Sequence, residues 1–246
     1  MKAFLPMLLV AGVCVASENA HHWSYSGDTA PARWATLEPE FAACSAGKAQ
    51  SPVQIVHDAV HDTHQPHIQF AYQPAPLHII DNGHSIQVNY PPGSFITVGD
   101  QKYELVQFHF HHPSEEWIDG RNFDMVAHLV HKDSAGKLAV IAVLLDSGSE
   151  NPFLKTLWAN LPKQKEKESS PAAVTINATD LLPKDRSYYS FMGSLTTPPC
   201  TEGVRWFVLR HSGNLSPRQL QTFATLYPMD ARPVQPLNGR EISADD

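Results

Sequence analysis

From Ile68 to Leu209 the chain is written in short strand-like runs, several of them alternating apolar and polar, and that period of two constrains the fold more than any other feature. Successive side chains of a strand point to opposite faces, so alternation means a sheet with one face buried. The runs are Ile68–Tyr72, Leu77–Asp81, Ser85–Tyr90, Phe95–Val98, Lys102–His111, Phe123–His131, Ala139–Asp146, Thr175–Ile176, Tyr188–Met192 and Val204–Leu209. Gly, Pro, Asn or Asp bounds most of them, and 20 prolines across the chain work against long helices. Two stretches read as helices. Asn151-Pro152 opens a run through Trp158, and Ser216-Pro217 opens one through Leu226, each with proline in the first turn. No repeat or low-complexity linker divides the chain, and the polar stretch Pro162–Pro171 has nothing self-contained on either side. The reading is α+β, mainly β: a single domain with a large, mostly antiparallel central twisted sheet and short peripheral helices.

Composition removes several classes of function. With 246 residues, 42% of them hydrophobic and 17% charged, the chain has the apolar content of a globular domain and not of a disordered one. A net charge of −7 argues against nucleic acid as a partner, because phosphate binding needs a basic face. The 14 histidines are a large stock of metal ligands and proton carriers.

Residues 1–16 read as an export signal: Lys2 is the only charge, Phe4 to Val15 is almost wholly apolar, and Cys14-Val15-Ala16 offers small residues for cleavage. Cleavage after Ala20 is the alternative, with the domain running over 21–246. A membrane anchor would need about 20 apolar residues, more than this run supplies. The expected location is therefore periplasmic or secreted. Loss of the signal removes Cys14 and leaves Cys44 and Cys200, either bridged, as an oxidising compartment favours, or as two buried thiols.

The chemistry concentrates in Gln107-Phe108-His109-Phe110-His111-His112 and in Asp124-Met125-Val126-Ala127-His128-Leu129-Val130-His131. On a strand, His109 and His111 project to one face about 7 Å apart at the backbone, while Phe108 and Phe110 project to the other. His128 and His131 point to opposite faces, so one of them joins the pair from the neighbouring strand. If it is His128, Val130 lies beside the metal. Three imidazoles with an open fourth position make a catalytic zinc site. Spacing alone also fits two polar residues on a solvated face, and it leaves Glu115-Glu116 as a surface pair.

Further motifs stand in order along the chain: His22-Trp23-Ser24-Tyr25, Gln50-Ser51-Pro52-Val53, Asn82-Gly83-His84, Ser114-Glu115, Gly193-Ser194-Leu195-Thr196-Thr197-Pro198-Pro199-Cys200, Trp206 and Gln235-Pro236-Leu237-Asn238. With the histidine runs, they resemble the α-class carbonic anhydrases, in particular the exported bacterial type, from His22 to about Ile242. The resemblance implies a lyase that hydrates carbon dioxide reversibly to bicarbonate and a proton, with Zn2+ as cofactor. It implies His109, His111 and His128 as zinc ligands and His84 as proton shuttle. Thr196 would accept the hydrogen bond of a zinc-bound hydroxide, and Glu115 that of the Thr196 hydroxyl. Val130, Val140, Leu195 and Trp206 would line an apolar carbon dioxide pocket, with Thr197 and Gln107 on its wetter side. It implies a Cys44–Cys200 disulfide, cis bonds before Pro52 and Pro199, no membrane span, and allows a homodimer. Non-enzymatic relatives that keep the fold as a binding surface are the rival reading, and ester hydrolysis is an expected side activity.

Two positions depart from that family's pattern. The family carries Glu two residues before the third zinc histidine, where this chain has Val126. That carboxylate would hold the outer N–H of His128, and its loss predicts weaker or faster-exchanging zinc by about 10–100-fold, with water or a backbone carbonyl as substitute. Glu116 stands where the family has His, and a carboxylate there calls for a cation or arginine of its own.

Overall fold

A computed structural model describes residues 23–63 and 65–245 of the chain. The expected export signal, residues 1–16 with the alternative end at 20, lies outside the described residues. None of the described helices is long and apolar enough to cross a membrane.

Thr175–Ile176 pairs with Ala75–Pro76 in a separate two-stranded sheet; the other expected runs lie in a 12-stranded sheet. Its centre is built from Gln101–His111, Met125–Lys132, Leu138–Ser147, Glu202–Leu209 and Tyr188–Ser194, hydrogen-bonded in that order. Ile86–Asn89 and then His78–Asp81 extend it beyond Gln101–His111. Most pairings are antiparallel, as expected. Leu138–Ser147, however, runs parallel to both Glu202–Leu209 and Gly213–Leu215, and Ser243–Ala244 runs parallel to His61–Asp62. Strands of two or three residues, such as Gln54–Ile55, Trp117–Ile118 and Arg121–Asn122, carry too little periodicity to be legible in sequence. The same is true of the short 3-10 turns at Gly27–Thr29, Pro31–Thr36 and Pro39–Phe41.

The period of two separates the sheet into faces with different duties. Phe108, Phe110, Ala127, Leu129, Ile141, Val143, Leu145, Phe207 and Tyr188 all join one large buried cluster. Each fully buried side chain of this size contributes about 1.5–3 kcal/mol of hydrophobic free energy, so this face carries most of the stability. The residues between them, Val126, Val140, Ala142, Leu144, Trp206 and Val208, form a second cluster on the opposite face. That second face carries the histidines.

Both expected helices are present, at Pro152–Trp158 and Pro217–Leu226. Asn151 Oδ1 accepts from the Phe153 and Leu154 N–H groups, and Ser216 forms a reciprocal cap with Gln219. Gln219 also reaches the first helix: its Oε1 accepts from Asn151 N at 2.9 Å and its Nε2 donates to Asn151 O at 2.7 Å. One buried amide thereby locks two helix starts together.

The amino-terminal shell packs Trp23, Tyr25 and Trp34 edge to face around the Cys44–Cys200 disulfide, which joins residues 156 apart in sequence. The bonds before Pro52 and Pro199 are cis, as expected, and so is His112–Pro113.

Candidate metal centre

Strand register brings the histidines together. His128 sits directly across from His109, and Val126 across from His111. Residues 107, 109 and 111 of one strand therefore share a face with 126, 128 and 130 of the next. The ring centroids of His109, His111 and His128 lie 5.0, 5.5 and 4.9 Å apart pairwise. Each offers a ligand atom, and these atoms lie within 4.8 Å of one another. His131 falls on the other face beyond a register shift between Val130 and His131, buried, with Nε2 2.9 Å from the Tyr72 hydroxyl. His112 turns away too, its Nδ1 donating to Asp124 O at 2.6 Å.

The outer nitrogen of each clustered ring faces an acceptor. His109 Nδ1 meets Gln107 Oε1 at 2.9 Å, His111 Nδ1 meets Asp230 O at 2.7 Å, and His128 Nε2 meets Glu116 Oε1 at 3.0 Å. An acceptor on one ring nitrogen places the proton there and leaves the other nitrogen with its lone pair. His109 Nε2, His111 Nε2 and His128 Nδ1 are the lone pairs that converge. Burial, together with the facing His111 and His128 rings, holds the pKa of His109 well below the usual imidazole value. His111 Nε2 is buried without a hydrogen-bond partner. A convergent set of imidazole nitrogens, with His111 Nε2 left without a hydrogen-bond partner, fits a zinc ion.

Glu115 reaches the cluster from the loop after the two-histidine strand. Its Oε1 accepts from Arg232 N at 2.8 Å, while Oε2 lies 3.7 Å from His111 Nε2 and 3.8 Å from His128 Nδ1. Oε2 has no hydrogen-bond partner, and the expected bond from the Thr196 hydroxyl is absent among the described residues. Thr196 itself is buried, in the turn closed by Leu195 N to Thr201 O and Cys200 N to Thr197 O. The disulfide anchors that turn at Cys200.

The expected apolar wall follows from the register. Val130 is paired with Val140, and Val140 with Trp206, whose ring meets His128 edge to face at 4.9 Å. Leu195 and Val130 pack against this same cluster, and Thr197 is half-buried beside Leu195. Gln107, expected on the wetter wall, has its carbonyl oxygen committed to His109. His84 occupies an Asn82–Ser85 turn, where Gly83 has φ +87°, and its ring stacks on Trp23 with centroids 3.6 Å apart.

Two expectations about the departures change. His128 is held neither by water nor by a backbone carbonyl, since Glu116 supplies a carboxylate. Among the described residues no arginine meets Glu116, its partner being His128 itself. Sequence reasoning also missed Arg232 and Asp230. The buried Arg232 guanidinium donates to Gln50 Oε1, Ser51 O and Cys44 O, and burial lowers its pKa to about 10. Asp230 Oδ1 accepts from His112 N at 2.7 Å, and burial pushes its carboxyl well above the ordinary value. Neither residue lies near the histidines in sequence, and no local signal marks them.

The sequence and the fold are similar to those of known proteins. The profile of the eukaryotic-type carbonic anhydrase family matches residues 29–246. A carbonic anhydrase of Pectobacterium carotovorum is 43% identical over 246 residues, covering 98% of this chain and 99% of that protein. A hyperthermostable carbonic anhydrase from a hydrothermal vent chimney superposes with a TM-score of 0.87 at 45% identity, over 92% of this chain and 100% of that one. The α-carbonic anhydrase of Thermovibrio ammonificans, solved with sulfanilamide, gives 0.87 at 37% identity over 90% and 98%. The chain belongs to the α, or eukaryotic-type, carbonic anhydrase family.

Proposed function

We propose that the reversible hydration of carbon dioxide, the reaction of this chain's family, runs at the cluster of His109, His111 and His128, with those three residues as zinc ligands. The supporting observation is the convergence of three imidazoles whose outer nitrogens are each held by an acceptor. A bound zinc ion supplies Lewis-acid activation of water near neutral pH, and carbonic anhydrases are the type case for that chemistry.

The protein's own residues aim the reaction. Glu115 Oε2, buried and without a partner, has a lone pair with which to accept a hydrogen bond, and the Thr196 hydroxyl is the donor assigned to it. A threonine whose proton is committed to a carboxylate can only accept from the nucleophile, which fixes the direction of its lone pair. Val130, Val140, Leu195 and Trp206 hold carbon dioxide, a small linear molecule without net charge, weakly on the apolar side. Thr197 and Gln107 take the polar side, Gln107 through the ring it holds. His84 carries the product proton outward. Its ring is partly exposed and rests on Trp23, which supports a role that needs contact with solvent.

We also assign the chain to the periplasm or the exterior of the cell. The Cys44–Cys200 bridge supports this, because such bonds persist in oxidising compartments.

Metal analysis and stopped-flow acidification on one purified sample test the function. About one zinc per chain with fast hydration is the expected result. Zinc without hydration would overturn the roles of Glu115, Thr196 and His84, and absence of zinc would overturn the metal centre.

A further inference from the structure

We infer that Glu116 is the positioning residue of the third metal ligand, the carboxylate having moved from the histidine's own strand to the loop beside it. The inference rests on the zinc reading of the three histidines and assigns a role to a residue that departs from the family's pattern.

Glu116 is fully buried, and its carboxylate spans the outer edge of His128, with Oε1 at 3.0 Å and Oε2 at 3.2 Å from Nε2. The carboxylate has no other hydrogen-bond partner among the described residues. A carboxylate removed from water is costly unless a donor compensates it, and His128 is the donor present. In return, the charge on Glu116 fixes the ring's tautomer and makes its inner nitrogen a stronger base.

No group on the strand itself can do this. Val126, two residues before His128 and on the same face, is buried opposite Leu144 within the apolar cluster that includes Val53, Ile55 and Val208. An apolar residue at 126 and a carboxylate at 116 are therefore two halves of one exchange: the strand position packs, and the loop position orients.

The loop is built to hold its aim. Ser114 Oγ donates to Glu116 O at 2.9 Å and accepts from Phe123 N at 2.8 Å, and Trp117 N donates to Val53 O at 3.4 Å. The dipeptide Glu115-Glu116 consequently brackets His128, with Glu115 Oε2 3.8 Å from the inner nitrogen and Glu116 at the outer one. One short, fixed segment thus sets both the ring of a metal ligand and the acceptor assigned to Thr196.

The test follows zinc release from the loaded protein into excess chelator for the parent and for Glu116→Gln, Val126→Glu and the double variant. Absorption of the cobalt-substituted proteins and melting of the zinc-free proteins are measured alongside. Glu116→Gln is expected to release zinc about 10–100-fold faster and to shift the cobalt spectrum, with little change in zinc-free melting. Val126→Glu alone is expected not to slow release, because the outer nitrogen of His128 is already engaged. The double variant is expected to recover most of the retention. Should Val126→Glu fail to fold, Glu116→Asp, which keeps charge and loses reach, is expected to fall between parent and Glu116→Gln. Release from Glu116→Gln within twofold of the parent, or an unshifted cobalt spectrum, overturns the inference alone. A parent that takes up no zinc overturns the metal centre and this inference with it.

Discussion

Single residues in this protein owe their chemistry to which face of a strand they occupy. His128 and His131 are three residues apart on one strand, yet one joins the metal cluster and the other is sealed beside Tyr72. Burial lowers the pKa of His131 from 6.5 to about 3, against smaller opposing contributions from the Leu129 and Ala139 backbone. The native ring therefore refuses a proton that the unfolded chain accepts once pH falls below 6.5. Stability from this residue is complete above that value and declines as pH drops toward 3, by at most about 1.4 kcal/mol per pH unit. Denaturant unfolding at several pH values should show a shallower dependence between pH 6 and pH 4 in His131→Gln than in the parent. Equal slopes would mean that the ring is not kept neutral. The face of each histidine was legible from the parity of its position, since side chains on a strand alternate. The partner of each ring was not, because Gln107 is local to His109 while Asp230 lies 119 residues from His111.

At the scale of elements, the long strands and both helices announced themselves through periodicity and caps. To the expected Ser216-Pro217 start the structure adds a reciprocal Ser216–Gln219 capping box. What the local pattern omitted is that Gln219 serves two helices, bonding Ser216 N and both backbone groups of Asn151. Gln219→Ala strands these groups in a half-buried place and should cost about 2–3 kcal/mol in denaturant titration, more than a lone cap. A loss below 1 kcal/mol would show that water replaces the amide. The turn that carries Thr196 is an element of another kind, held by backbone bonds and by Cys200. In Cys44→Ser/Cys200→Ser the zinc ligands, seated on the sheet, should stay loaded while carbon dioxide hydration falls severalfold. Parallel losses of zinc and activity would tie the disulfide to the sheet instead.

Across the whole molecule, two long-range ties decide how the site is assembled. The disulfide closes a separation of 156 residues, worth about 5 kcal/mol on the chain-entropy model. Arg232 links the Cys44 and Ser51 carbonyls to Glu115 through its own backbone N–H. Zinc at the proposed centre would add a third tie, because an ion bound only by the folded chain stabilises it by mass action. Chelation should therefore lower the melting temperature of the parent, and excess zinc should restore it; a melting point indifferent to chelator would place no metal in the native protein.

The sequence by itself determined the sheet, its two faces, the pairing of His109 with His111, and the family, since these rest on local alternation and contiguous motifs. Only the tertiary structure decided that Glu116 stands against His128, that Arg232 and Asp230 hold Glu115 and His111, and that Gln107 is spent on His109. The physical reason lies in range. Strand parity acts over two residues and survives in any one-dimensional reading. The desolvated contacts that orient the ligands join residues brought together only when the sheet and its covering loops have packed.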